Sequence, residues 1–224
     1  MDKDNAAYDT RTFPRMKSFR MEIAPARFKP SAGHETWLPE RVFLFSGHMI
    51  DSPDRKTPRF PPDKENAARQ RIAAALADLN AGPQDLGLTQ GACGGDILFA
   101  EACRRRGVKL QLLQPFEEPV FIEKSVAFAD AEWLQRYLTI TSGLESPPLA
   151  APRELGRLPP DMNAYERCNL WLLASALAYG AKKLVFICLW DGGGGEGPGG
   201  TAHMVEEVEK QKGRVIWLDT KKFT

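Results

Sequence analysis

The chain has 224 residues, of which 43% are hydrophobic and 26% charged, and a formal net charge of +1; it can bury one substantial core and has no overall attraction for nucleic acid or an anionic membrane surface. No apolar run approaches the roughly 20 residues that span a bilayer. The polar N-terminus lacks a secretory pattern, and Cys93, Cys103, Cys168 and Cys188 show neither CxxC nor zinc-ligand spacing, so the expectations are a reducing cytoplasm, no metal and no cofactor.

Residues 1–38 mix charge, proline and weak periodicity and read as an irregular arm, leaving 39–224 as the domain. VFLFSGH (42–48) is a short apolar run ending at a glycine, the pattern of a fully buried strand. A turn-rich loop, DSPDRKTPRFPP, leads to the amphipathic helix KENAARQRIAAALADLNAG, closed by Gly82. DLGLTQG, GGDILFAEACRRRG and VKLQLLQP then read strand, helix, strand. EPVFIEKSVAFADAEWLQRY predicts one helix, YLTIT a strand, and SGLESPPLAAPRELGRLPPD a long proline-rich loop. MNAYERCNLWLLASALAYGA is apolar almost all round, so it predicts a helix packed on a sheet. The strand KKLVFICLW, a glycine-rich loop, a helix over about 201–212 and the strand RVIWLD complete the chain. This alternation predicts an α/β fold: a doubly wound, mostly parallel, Rossmann-like sheet with helices on both faces.

Ligands of such sheets bind beyond the carboxyl ends of the strands, where strand order reverses. The strands ending at Gly47, Gly91 and Asp191 are expected to meet there. Two of them run into glycine-rich turns that open helices, TQGACGGD and DGGGGEGPGGTAH, the second with seven glycines in thirteen residues. Exposed amides and the positive helix end suit such turns to phosphate, although neither matches GxGxxG or GxxxxGK[ST]. The candidate ligand-binding residues are Gly91, Gly94, Gly95 and Asp96 in the first turn, and Asp191, Gly199, Gly200, Thr201 and His203 in the second. Gly199, Gly200 and Thr201 are expected to aim their amides at a phosphate, with Gly195 to Gly197 as a mobile flap and Thr201 capping the helix or reaching the ligand. Gly47, His48, Asp51 and Arg55 join them from the first loop, where an arginine can clamp a phosphate. Arg59, in the same loop, reads rather as a solvated charge. Glu166 and Asn169 share one face of an otherwise apolar helix and need polar partners, in the core or on a ribose or base edge. Cys93 reads as a small residue in a tight turn.

The strand–TQGACGGDILFAEA–helix and strand–GPGGTAHMVEEVE–helix segments resemble the SLOG superfamily, which includes lonely-guy-type phosphoribohydrolases and the Rossmann domain of DNA-processing protein A. SGHMIDSPDRKTPRFPPDKE, ACGGDILFAE and WDGGGGEGPGGTA are similar to modules attached to nucleotide cyclases and tetratricopeptide proteins, and the resemblance covers about residues 40–220. It implies a small-molecule nucleotide ligand, with an effector or cyclase partner and a homo-oligomer compatible with it. The hydrolases carry PGGxGTxxE with a catalytic glutamate. Aligning Pro198-Gly199-Gly200 puts Glu206 on that glutamate with Ala202-His203 in place of Gly-Thr; aligning Gly200-Thr201 puts Met204 there instead. The expected function is therefore a nucleotide-binding sensor or regulatory domain. A phosphoribohydrolase or N-glycosidase is the alternative, and single-stranded DNA binding, for which no aromatic–basic stripe is visible, is the third.

Overall fold

The chain forms six parallel strands: β1 (Val42–Gly47), β2 (Leu86–Thr89), β3 (Lys109–Gln114), β4 (Leu149–Ala150), β5 (Leu184–Trp190) and β6 (Arg214–Asp219). The computed structural model describes residues 23–29, 37–193 and 200–223, and its sheet runs β4-β3-β2-β1-β5-β6 with every pair parallel. Strands in such a sheet are covered on both faces and so carry apolar residues at every position; β5, LVFICLW, is buried along its whole length. Alternate residues serve two cores. Phe43 and Phe45 face one, Val42 and Leu44 the other.

Helices α1 (Glu65–Asp78), α2 (Gly95–Arg105), α3 (Glu118–Ser125) and α4 (Ala131–Thr141) build the first core, and α5 (Ala151–Glu154), α6 (Ala164–Leu177) and α7 (Thr201–Lys210) the second. From β1 the chain steps outward through β2 and β3 to β4. It then returns through α6 to β5 on the far side of β1. Strand order therefore reverses between β1 and β5.

Three elements differ from the sequence reading. The single helix expected over residues 118–137 is two, α3 and α4. Asp130 starts the second by accepting from the Trp133 amide at 3.0 Å, a side-chain cap. YLTIT is no strand but the last turns of α4. Trp133, Tyr137 and Ile140 are buried at helical spacing, so one face of α4 packs on the core. The proline-rich loop contains β4 and α5. In addition, α1 closes at Asn80, in the left-handed region at φ 50°, rather than at Gly82, and α7 stops at Lys210.

Residues 23–29 of the expected arm lie along α6. The Ala26 amide donates to Ser175 Oγ and the Phe28 amide to the Tyr179 hydroxyl, both at 2.9 Å, and the Phe28 ring is buried in the second core. Among the described residues no helix is long and apolar enough to cross a membrane.

Candidate functional site

With β1 between β2 and β5, the strand ends at Gly47, Gly91 and Asp191 come to the same edge of the sheet. Gly47 lies level with Leu189 in the ladder. The chain beyond β1 crosses the start of α2 as an antiparallel bridge, Met49 to Gly94.

That crossing occupies the first glycine turn. The Gly95 amide donates to the His48 carbonyl at 3.0 Å and the Ile50 amide to the Cys93 carbonyl at 3.3 Å. Gly94 takes φ 96°, and a Cβ there would come within 2.5 Å of the Ile50 nitrogen; one on Gly95 would meet the Gly47 Cα at 3.2 Å. Asp96, expected beside a ligand, turns inward and accepts from the Gly91 and Ala92 amides at 3.2 and 3.3 Å. Burial raises its pKa to about 7, against the opposing pull of the Ala92 amide, the Thr89 hydroxyl and the Gly91 amide. Gly91, Gly94, Gly95 and Asp96 thus serve the packing of strand, loop and helix. Cys93 is fully buried and burial pushes its thiol up to about 12, which suits a small residue in a tight turn.

The second turn is arranged differently. Helix α7 begins from Gly200, which like Gly94 before α2 supplies no side-chain cap, whereas α6 is capped by Asn163 and α4 by Asp130. What differs is that no loop of the described residues bridges across it as the 48–50 segment does at Gly94. Thr201, expected as a possible cap, is the first helical residue. It is buried, with Oγ1 at 3.4 Å from Ser46 Oγ on β1. At the start of the connection, Asp191 Oδ1 lies 3.0 Å from His48 Nε2 and accepts from the Gly193 amide at 3.0 Å. Burial, with Arg59 nearby, lowers the His48 pKa although Asp191 opposes this. Burial works against the Asp191 carboxylate, but the Gly193 amide, His48 and Lys221 outweigh it and hold its pKa below the usual value. At neutral pH the pair is an uncharged imidazole beside an ionised carboxylate. Gly199 and the flap expected at Gly195 to Gly197 lie outside the described residues.

Other candidates divide. Asp51, expected at a ligand, is buried and holds its own loop: Oδ2 accepts from the Arg59 and Phe60 amides at 2.7 and 2.8 Å, and Oδ1 pairs with Arg55 Nε at 3.2 Å. Arg55 also donates to the Thr57 carbonyl. Asn169 is buried and accepts from Gln90 Nε2 at 2.7 Å, while Glu166 is half-buried one turn before it. His203 and Glu206 lie half-buried on α7, His203 Nε2 at 3.8 Å from Glu207. The structure also brings in residues the sequence reading missed. Ser46 and Gln90 are level by continuation of the β1–β2 register; both are polar residues at the ends of apolar runs, a signal the sequence does carry. Arg167 on α6 is only 2% exposed, donates to the Gly156 carbonyl at 2.9 Å, and has a buried Nε without a hydrogen-bond partner. A guanidinium buried on this helix is not legible from spacing. Among the described residues no group of three or more His, Cys, Asp or Glu side chains could hold a metal ion.

No family model matches the chain, and no curated protein does. Among solved structures it is similar to the structural-genomics target TM1055, at 14% identity and a TM-score of 0.40 over 78% of this chain and 72% of that one. It is also similar to DNA processing protein A from Helicobacter pylori, solved in a study of single-stranded DNA binding, at 15% identity and a TM-score of 0.29 over 83% of this chain and 79% of that one.

Proposed function

We propose that the chain binds a nucleotide or nucleotide derivative as a sensor or regulatory domain, with the phosphate held at the turn that opens α7. The observation that carries this reading is the contrast between the two glycine turns. The one before α2 is occupied by the chain's own Asp96 carboxylate and His48 carbonyl. The one before α7 also has a glycine at its head and no side-chain cap, but among the described residues no carboxylate or carbonyl is seated on it, so its first-turn amides and positive dipole end suit an external anion. The backbone of Gly200, φ −80° and ψ 168°, is open to any residue. Conformational freedom is therefore not what glycine provides there; the missing Cβ, which lets a phosphate approach the backbone, is.

The test is Gly200→Val, a change this backbone accommodates, with folding checked by circular dichroism. Charge-assisted hydrogen bonds contribute about 1.5–3 kcal/mol each. Loss of two weakens nucleotide binding by roughly two to four orders of magnitude, as read by calorimetry over a panel of mononucleotides, cyclic nucleotides and ADP-ribose derivatives. Unchanged affinity in folded Gly200→Val removes the loop from the binding site. Free base released from the same panel assigns phosphoribohydrolase activity in place of sensing.

A further inference from the structure

In a parallel sheet every strand begins at the same edge, here the one opposite the candidate nucleotide site. That amino edge gathers cations. β3 and β6 open on Lys109 and Arg214, and Arg41 and Lys183 immediately precede β1 and β5. From β3 to β6 the sheet order is β3-β2-β1-β5-β6, so these starts form a row of about 19 Å at about 4.8 Å per strand. Only β2 is preceded by an acid, Asp85, and Arg41 pairs with it at 2.8 Å. Helix α2 ends at the same edge with Arg104 and Arg105, and Arg106 follows.

Their partners set these cations apart. Elsewhere Arg69, Arg136 and Arg153 face carboxylates. Here Arg104 donates to the Thr139 carbonyl at 2.8 Å, Arg106 to the Ala81 carbonyl at 2.9 Å and Lys183 to the Pro39 carbonyl at 2.7 Å. Among the described residues Arg105, Lys182 and Arg214, all exposed, meet no carboxylate. The acids left over at this edge, Glu40, Asp78 and Glu209, are fewer than the cations. The dipole of α2 suits arginines in its last turn, but it does not account for Arg214, which begins a strand.

Beside the arginines the edge is hollow. A half-open cavity of about 250 Å³ lies between the end of α2 and the loop after α4. Pro83, Val108, Leu110 and Leu144 give it aliphatic walls, and Arg104 and Lys109 line it too. A cavity of about 150 Å³ holds benzene, so this one takes a leucine or phenylalanine side chain.

We propose that the amino edge docks an acidic segment of another protein, with its carboxylates along the row of cations and one apolar side chain in the cavity. An extended chain covers that row with about six residues. Single-stranded nucleic acid fits less well. Bases stack on aromatic faces, and the rings at this edge are already engaged: Phe28 is buried, Trp37 meets Phe28 and Lys109, and Arg27 covers Tyr179. The chain's own first 22 residues carry more basic than acidic side chains, so they lack the charge to fill the row. The proposal is independent of the phosphate reading, which concerns the opposite edge.

The probe is a labelled peptide of glutamates around one leucine, followed by fluorescence anisotropy on the full chain. Saturable binding is expected, weakening roughly tenfold as salt rises from about 50 to 300 mM, because exposed charges are screened. Arg104→Glu, which reverses a charge at the cavity, weakens it about tenfold or more. Arg153→Glu makes the same change after β4, at the carboxyl edge, and leaves binding unaltered. Serine in place of the peptide's leucine costs about tenfold through lost burial. Should Arg104→Glu fail to fold, Arg105→Glu, at an exposed position, decides in its place. The proposal is overturned if the peptide does not bind, if the serine peptide binds equally well, or if Arg153→Glu loses as much as Arg104→Glu. A thymidine oligonucleotide of equal charge that binds more tightly than the peptide also overturns it and assigns the edge to single-stranded nucleic acid. Each of these outcomes leaves the phosphate reading intact.

Discussion

Gly94 stands at φ 96°, where a Cβ would come within 2.5 Å of the Ile50 nitrogen and 2.8 Å of the His48 carbonyl oxygen. Backbone, unlike a flexible side chain, cannot yield there. Gly94→Ala combines left-handed strain of about 1–3 kcal/mol with that clash, and is expected to cost about 3 kcal/mol or more in urea denaturation. Gly82→Ala, where a Cβ meets nothing within 4 Å, is the neutral control. Asp96, two residues after Gly94, gives stability a pH dependence. The buried carboxyl titrates at about 7 against about 3.9 when unfolded. Between these values the folded chain holds the proton and the unfolded chain does not, so this contribution is complete below about pH 4 and declines as pH rises towards 7. The difference of roughly three units corresponds to at most about 4 kcal/mol. Asp96→Asn keeps an acceptor for the Gly91 and Ala92 amides without ionising. Its stability relative to wild type is expected to rise between pH 4 and 8; parallel curves for the two proteins sink this assignment. A glycine and an aspartate at a helix start read equally well as ligand groups in one dimension. What turned them to internal use is the 48–51 segment lying across them, a non-local contact that no spacing reveals.

Elements were most legible where one physical requirement dominated. A strand covered on both faces has to be apolar at every position, and VFLFSG and LVFICLW announce themselves. YLTIT failed because β-branched and aromatic residues at a helix end look like a strand in a short window, while the deciding pattern, Trp133–Tyr137–Ile140, extends back beyond it. The two residues of β4 are too short to carry any period. Helix α6 read as buried, and it is, but it also carries Arg167, whose pKa burial pushes down and whose one hydrogen-bond partner named above is a neutral carbonyl. Among the described residues no countercharge meets it, and a buried ion without one costs stability that a bound anion would offset. Arg167→Met, which retains length and apolar stem, is expected to leave stability unchanged or raise it by about 1 kcal/mol while lowering nucleotide affinity. A substantial fall in thermal stability with affinity intact would instead make Arg167 a purely structural residue.

At the scale of the molecule, the sheet order follows from two facts: crossovers in parallel sheets are right-handed, and the chain has helices for both faces. The sequence reading placed the three strand ends together, and with β1 between β2 and β5 they do reach one edge of the sheet. It could not say which face each helix covers, because that depends on where the chain reverses, here during the return from β4 to β5. The same arrangement sets how stability is distributed. β1 and β5 pair on both sides and are buried between two cores, with Phe43, Leu44, Phe186 and Ile187 fully excluded from solvent. β6 pairs only with β5, and its residues are half-buried or exposed throughout; β4 contributes two residues at the other edge. Local opening requires breaking few contacts at the edges and both cores at the centre. Native-state hydrogen exchange is therefore expected to show the amides of β1 and β5 exchanging only through global unfolding. Those of β6 and β4 should exchange through local opening, orders of magnitude faster and with little dependence on denaturant. Equal protection of β6 and β1 would mean that something else covers the β6 edge, such as a second copy of the chain pairing along it.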